Sequence, residues 1–149
     1  MQGAVMLRGR KKLDMAIKER IESLNKGLKS IYFKALGDIV KGTPEDSGRA
    51  VQGWFLTVAN PSNSIAGGGV EQLSKMPKNV LGKKIFFTNS TPYINKLEYG
   101  GFPSPVEKGS WDKISKSYVK LSANGFSKKA PNGFVRINLK RAQTKIKQL

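Results

Sequence analysis

The chain has 149 residues, 27 Lys+Arg against 10 Asp+Glu for a formal net charge of +17, and neither Cys nor His. That composition excludes disulfides, thiolate metal sites, Cys nucleophiles and any mechanism that uses imidazole as ligand or general base. The length fits one compact domain, and an apolar share of 38% is low for a globular chain but too high for a disordered one.

No apolar run approaches the roughly 18 residues that a membrane span needs. Met1–Arg10 have no apolar centre of the signal-peptide kind. The expectation from these features is a soluble, cytoplasmic protein. The charge is uneven. Residues 1–41 carry net +6, residues 42–101 net +2 and residues 102–149 net +9. Two basic ends flank a nearly balanced middle, which suits either a solvated surface or one facing DNA or an acidic partner.

Residues 1–11 are read as a flexible basic arm with Gly3 and Gly9 among its charges. From about 12 to 41 the pattern is helical. Leu13, Ile17, Ile21, Leu24, Leu28, Ile31 and Ala35 recur at steps of three and four, one stripe of an amphipathic helix. Gly27 and Gly37 are weak points, each costing roughly 1 kcal/mol relative to Ala. Gly42 can close this helix, and Thr43 with Pro44 behind it makes an N-cap for a second helical turn. Asp46 or Ser47 can instead cap a helical turn through Ala50 to Gly53.

Phe55–Ala59 reads as a strand, and Asn60–Gly69 as a mobile loop ending in three glycines. Val70–Leu81 suits a short irregular helix. Lys84–Asn89 is the clearest strand, with Ile85, Phe86 and Phe87 at its centre. Thr91-Pro92 starts a short helix through Leu97 and Tyr99, which Gly100-Gly101 stops. Residues 102–130 are irregular, with a helical or extended stretch around Trp111–Leu121. Val135, Leu139, Ala142, Ile146 and Leu149 then mark a final helix, with cations near its C-terminus, where the helix dipole favours them. The fold class is α+β: a small antiparallel sheet packed with a long N-terminal helix and shorter helices.

Catalytic parts are missing. Glu45 and Asp46 are neighbours whose side chains diverge on a helix, and Glu98 reads as half of a surface or inter-subunit ion pair. The run Gly67-Gly68-Gly69 lacks the Lys-Ser/Thr of a phosphate loop. Converging acids for a divalent cation are absent. No enzyme, cofactor or metal is expected. Nucleic-acid binding has more behind it, because Trp111, Tyr118 and Phe134 interleave with cations. Lys113, Lys116, Lys120, Lys128, Lys129, Lys140 and Arg141 are the candidate contacts to DNA phosphates or to an acidic partner.

Three segments carry a resemblance. Thr43-Pro44-Glu45-Asp46-Ser47-Gly48-Arg49, Asn89–Gly101 (with Tyr93 and Leu97-Glu98-Tyr99-Gly100) and Gly125–Arg136 (with Ala130-Pro131-Asn132-Gly133) occur in that order. Together they resemble the signature segments of the minor tail, or tail-completion (neck), proteins of long-tailed bacteriophages. The resemblance spans about residues 42–139. Against it stand the Lys-rich insert at 102–124 and Ile137-Asn138, where many relatives have Pro-Ala.

The resemblance implies a single α+β domain over 12–149 and a virion protein without enzymatic activity. It implies a ring of six copies at the head–tail junction, which completes or terminates the tail and lets DNA through. The partners are then further copies, neighbouring neck and tail-tube proteins and, transiently, genomic DNA, with no membrane; assembly is in the host cytoplasm. Thr43, Asp46, Gly48, Arg49, Tyr93, Glu98, Tyr99, Gly100, Pro131 and Arg136 become interface or turn-fixing residues. Arg49, Glu98 and Arg136 are the candidates for ion pairs. The alternative is a free basic nucleic-acid-binding protein.

Overall fold

A computed structural model describes residues 2–45, 47–101, 110–112, 116–119, 126–127 and 130–149. The fold is α+β. Helix α1 spans Gln2–Gly42, α2 Arg49–Gln52 and α3 Ile94–Tyr99, and α4 spans Val135–Lys147. A 3-10 helix spans Val70–Lys75. Strands β1 (Trp54–Val58) and β2 (Ile85–Asn89) pair antiparallel with Leu56 opposite Phe87. Strands β3 (Ser110–Asp112) and β4 (Ser117–Val119) form a second antiparallel pair. The stretch around Trp111 is therefore extended.

Helix α1 runs ten residues further toward the N-terminus than the apolar repeat suggests. Residues 2–11, expected as a flexible arm, continue the helix. Neither Gly3, Gly9, Gly27 nor Gly37 breaks it, since a glycine costs propensity without blocking the hydrogen-bond ladder. Proline does block it. Pro44 has no N–H and disfavours helical geometry at the residue before it, so α1 stops at Gly42.

Thr43 is not the N-cap expected from its place before Pro44. Its hydroxyl donates back to the Ile39 carbonyl at 2.7 Å and accepts the Trp54 indole N–H at 2.8 Å. The residue ends one helix and anchors the next strand. Helix α2 starts after Gly48, whose φ of 79° is left-handed, and has no side-chain cap. Asp46 lies outside the described residues.

The core has two connected halves. Trp54 centres the first, among Ile39, Val40, Ala50, Leu97, Ala130 and Phe134. Its ring stacks on Phe87 at 4.8 Å and meets Phe134 edge-on at 6.5 Å. The second half holds Leu56, Leu73, Met76 and Val80. Leu36 and Phe87 touch both. Helices α1 and α4 run antiparallel: Gly42 lies against Phe134 at one end and Gly27 against Leu149 at the other.

The glycine run is held by the protein. The Gly68 N–H donates to Gln52 O at 2.8 Å and the Gly69 N–H to Trp54 O at 2.9 Å, which ties the loop to the start of β1. A Cβ on Gly68 would overlap the Trp54 carbonyl oxygen, so glycine is required by space. Gly68→Ala is expected to destabilise the protein by about 2 kcal/mol, read as a lower urea midpoint at unchanged slope.

Candidate functional site

The densest polar arrangement among the described residues joins α3 to α4. Helix α3 presents Leu97 and Glu98 inward, and both are buried. Gly100, at φ 77°, ends the helix, its N–H donating to Lys96 O at 2.9 Å. Helix α4 begins behind a tight turn in which the Gly133 N–H donates to Ala130 O at 3.2 Å. No side chain of its own caps it, because Phe134 stands at the N-cap. Its first N–H groups point at Glu98 instead.

The Glu98 carboxylate takes four hydrogen bonds. Oε2 accepts from the Phe134 and Val135 N–H groups, both at 2.8 Å. Oε1 accepts from the Arg136 N–H and from its Nε, both at 2.9 Å. The guanidinium also donates to the Glu98 carbonyl at 3.0 Å and lies 4.5 Å from the centre of the Tyr99 ring. A long-range acid thus does the work of a cap, at the end of the helix that favours negative charge. Gly133 has a φ of 81°, and a Cβ there would sit 2.6 Å from the Glu98 carbonyl oxygen. Space and backbone conformation both demand glycine.

Burial by itself would raise the Glu98 pKa. The three backbone N–H donors and the Arg136 guanidinium outweigh it and hold the carboxyl below its ordinary value. An acid so fully occupied is a poor general base: its lone pairs are taken and its proton affinity is low. The arrangement is a lock between two helices.

The other sequence candidates fall around this lock. Tyr93 stands at the start of α3 and packs on the Trp54 half of the core. Tyr99 is exposed beneath the Arg136 guanidinium. Pro131 is exposed in the turn before α4. Arg49 is exposed at the start of α2, while Thr43 and Gly48 lie in the α1–α2 connection. Glu98 and Arg136 pair within the chain. Lys116 is exposed just before β4 with φ 48°, and Lys140 and Arg141 are exposed on α4. Lys113, Lys120, Lys128 and Lys129 lie outside the described residues.

Sequence reasoning missed several buried or half-buried amides. Asn25 Oδ1 accepts from the Val80 N–H at 2.6 Å and its Nδ2 donates to Lys78 O at 3.1 Å, pinning that turn to α1. Asn89 Nδ2 donates to Ala50 O at 2.7 Å, and buried Asn138 Nδ2 donates to Phe134 O at 2.7 Å. The signal was faint: an Asn beside the apolar stripe of a helix, or closing a strand. Among the described residues no three of His, Cys, Asp and Glu come together to hold a metal ion. No described helix is long and apolar enough to cross a membrane.

Comparison with known protein families, with curated proteins and with solved structures gives no match.

Glu98→Gln puts an NH2 group among donors and leaves Arg136 without its counter-charge. It is expected to cost about 3 kcal/mol in urea denaturation. Because the folded protein lowers the Glu98 pKa, the carboxylate contributes fully above the ordinary glutamate value. That contribution fades as pH falls through the folded-state value. Stability measured from pH 5 down to pH 2 should fall more steeply in the wild type than in Glu98→Gln. Gly133→Ala should cost about 2–3 kcal/mol by the same assay.

Proposed function

We propose that the chain is a structural protein of the neck or tail top of a long-tailed bacteriophage. Copies of it form a ring that completes or terminates the tail and passes DNA. The observation that carries this reading is the convergence of the three segments behind the resemblance. Thr43 of the first bonds Trp54, which packs against Phe134 of the third, and Glu98 of the second caps the helix that Phe134 begins. Thr43, Asn89, Tyr93, Leu97, Glu98, Ala130 and Phe134, drawn from all three segments, meet around one buried centre. Such positions hold a subunit's shape, which is what a ring subunit needs from them.

The second reading, a free nucleic-acid-binding protein, draws on the cations. Lys140, Arg141, Lys145 and Lys147 are all exposed on α4. A chain built to bind phosphates should do so alone, with affinity that falls steeply as salt rises.

Light scattering in high salt, with and without duplex DNA, separates the two. The ring predicts a mass of six times 16.4 kDa, or a multiple of it, without DNA, and only weak DNA binding as salt is lowered. A smaller species that binds duplex tightly, with a steep salt dependence, would transfer the function to nucleic-acid binding.

A further inference from the structure

Helix α1 has two halves that share one stripe. From Leu24 to Val40 the stripe is half-buried or buried against the body of the protein. Among the described residues, contacts along this helix reach Arg20, whose guanidinium donates to the Leu149 carbonyl. Beyond it the helix continues with none of the described residues packed on it. Every residue from Arg8 to Ser23 is exposed, including Leu13, Ile17 and Ile21 at 60%, 49% and 51%. These three lie within about 80° of arc and extend the line of Leu24, Leu28 and Ile31. A helix owes most of its stability in water to packing of its apolar face, so a projecting stretch with this stripe needs cover.

We infer that the projecting half of α1 is covered by the same segment of a second copy, antiparallel, about a two-fold axis near Ile17. The spacing is self-complementary. Reversal about Ile17 sets Leu13 opposite Ile21 on each side and Ile17 against its own copy. Asp14 and Lys18 follow Leu13 and Ile17 by one position, so they share one shoulder of the stripe. In an antiparallel pair like shoulders face each other, which brings each Asp14 alongside the second copy's Lys18, twice by symmetry. Neither takes part in the ion pairs Lys34–Asp38 and Arg136–Glu98 of its own chain. DNA would engage the cations but leave the stripe in water. The contact is independent of the ring reading, because it joins two units of whatever kind, single chains or rings.

The chain has no cysteine, so a single introduced thiol reports on one position. Mass is measured by light scattering at about 100 µM protein and physiological salt, where charges further apart than about 8 Å are screened. Ile17→Asp is expected to halve the wild-type mass while far-UV circular dichroism shows the fold intact, since the site is exposed. Ile17→Cys is expected to form a disulfide-linked pair under mild oxidation. Met15→Cys, on the opposite and equally exposed face, should not. Asp14→Lys should weaken the pair about fivefold, and adding Lys18→Asp should restore it. An unchanged mass in Ile17→Asp, whether the wild type is single or larger, overturns the inference, as does equal cross-linking at Met15→Cys. The ring reading is judged separately, from whether the Ile17→Asp mass is a multiple of six chains.

Discussion

Four hydrogen bonds to one buried carboxylate hold the last helix of this protein to the rest. Helix α4 starts without a cap of its own, and its first backbone donors would be stranded in the core beside Phe134. Glu98 answers three of them and the Arg136 guanidinium at once. The charge is tolerable there only because those donors are fixed in place by α4 itself, so cap and helix stabilise one another. Gly133 lets the chain come close enough, and Gly100 ends α3 just past the acid that does the capping.

Trp54 performs the corresponding task in the apolar part. Its indole N–H reaches Thr43 at the end of α1, while its ring faces Phe87 of β2 and Phe134 at the head of α4. One side chain therefore ties the first helix, the sheet and the last helix together. The Glu98 lock and the Trp54 hub meet at Phe134, whose N–H is held by the first and whose ring is held by the second. Glu98, Arg136 and Thr43, which stand out in the sequence, are thus spent on holding the chain's shape. The outer surface is left for partners: exposed cations along α4 and an apolar stripe on the free half of α1.

Much of the lock could be anticipated and its wiring could not. Glu98 and Arg136 stand out in the sequence as charges inside turn-rich segments, suited to surface, inter-subunit or turn-fixing ion pairs, whereas Glu98 is buried and pairs within its own chain. Nothing in a linear reading says that they bond to one another, 38 positions apart, or that the acid's main partners are backbone amides. Thr43 shows the same limit. Its position before Pro44 suits an N-cap, but Pro44 stops α1, and the Thr43 hydroxyl is then better placed to serve Ile39 and Trp54.

Composition and periodicity by themselves determined the α+β class, the long first helix, the two central strands and the final helix. These are local properties, set by the spacing of apolar side chains along a few turns or a single strand. The absence of Cys and His settled, equally locally, which chemistries the chain lacks. Only the tertiary structure decided that the glycine run lies against β1, that Asn25 holds a turn some 55 residues away, and that α1 is exposed from Arg8 to Ser23. Those outcomes turn on which backbone donors and acceptors meet in space and on where the body of the protein ends beside a helix. The apolar repeat reads alike in both halves of α1; among the described residues its stripe is covered from Leu24 onward and exposed from Arg8 to Ser23, a division that only packing in space sets.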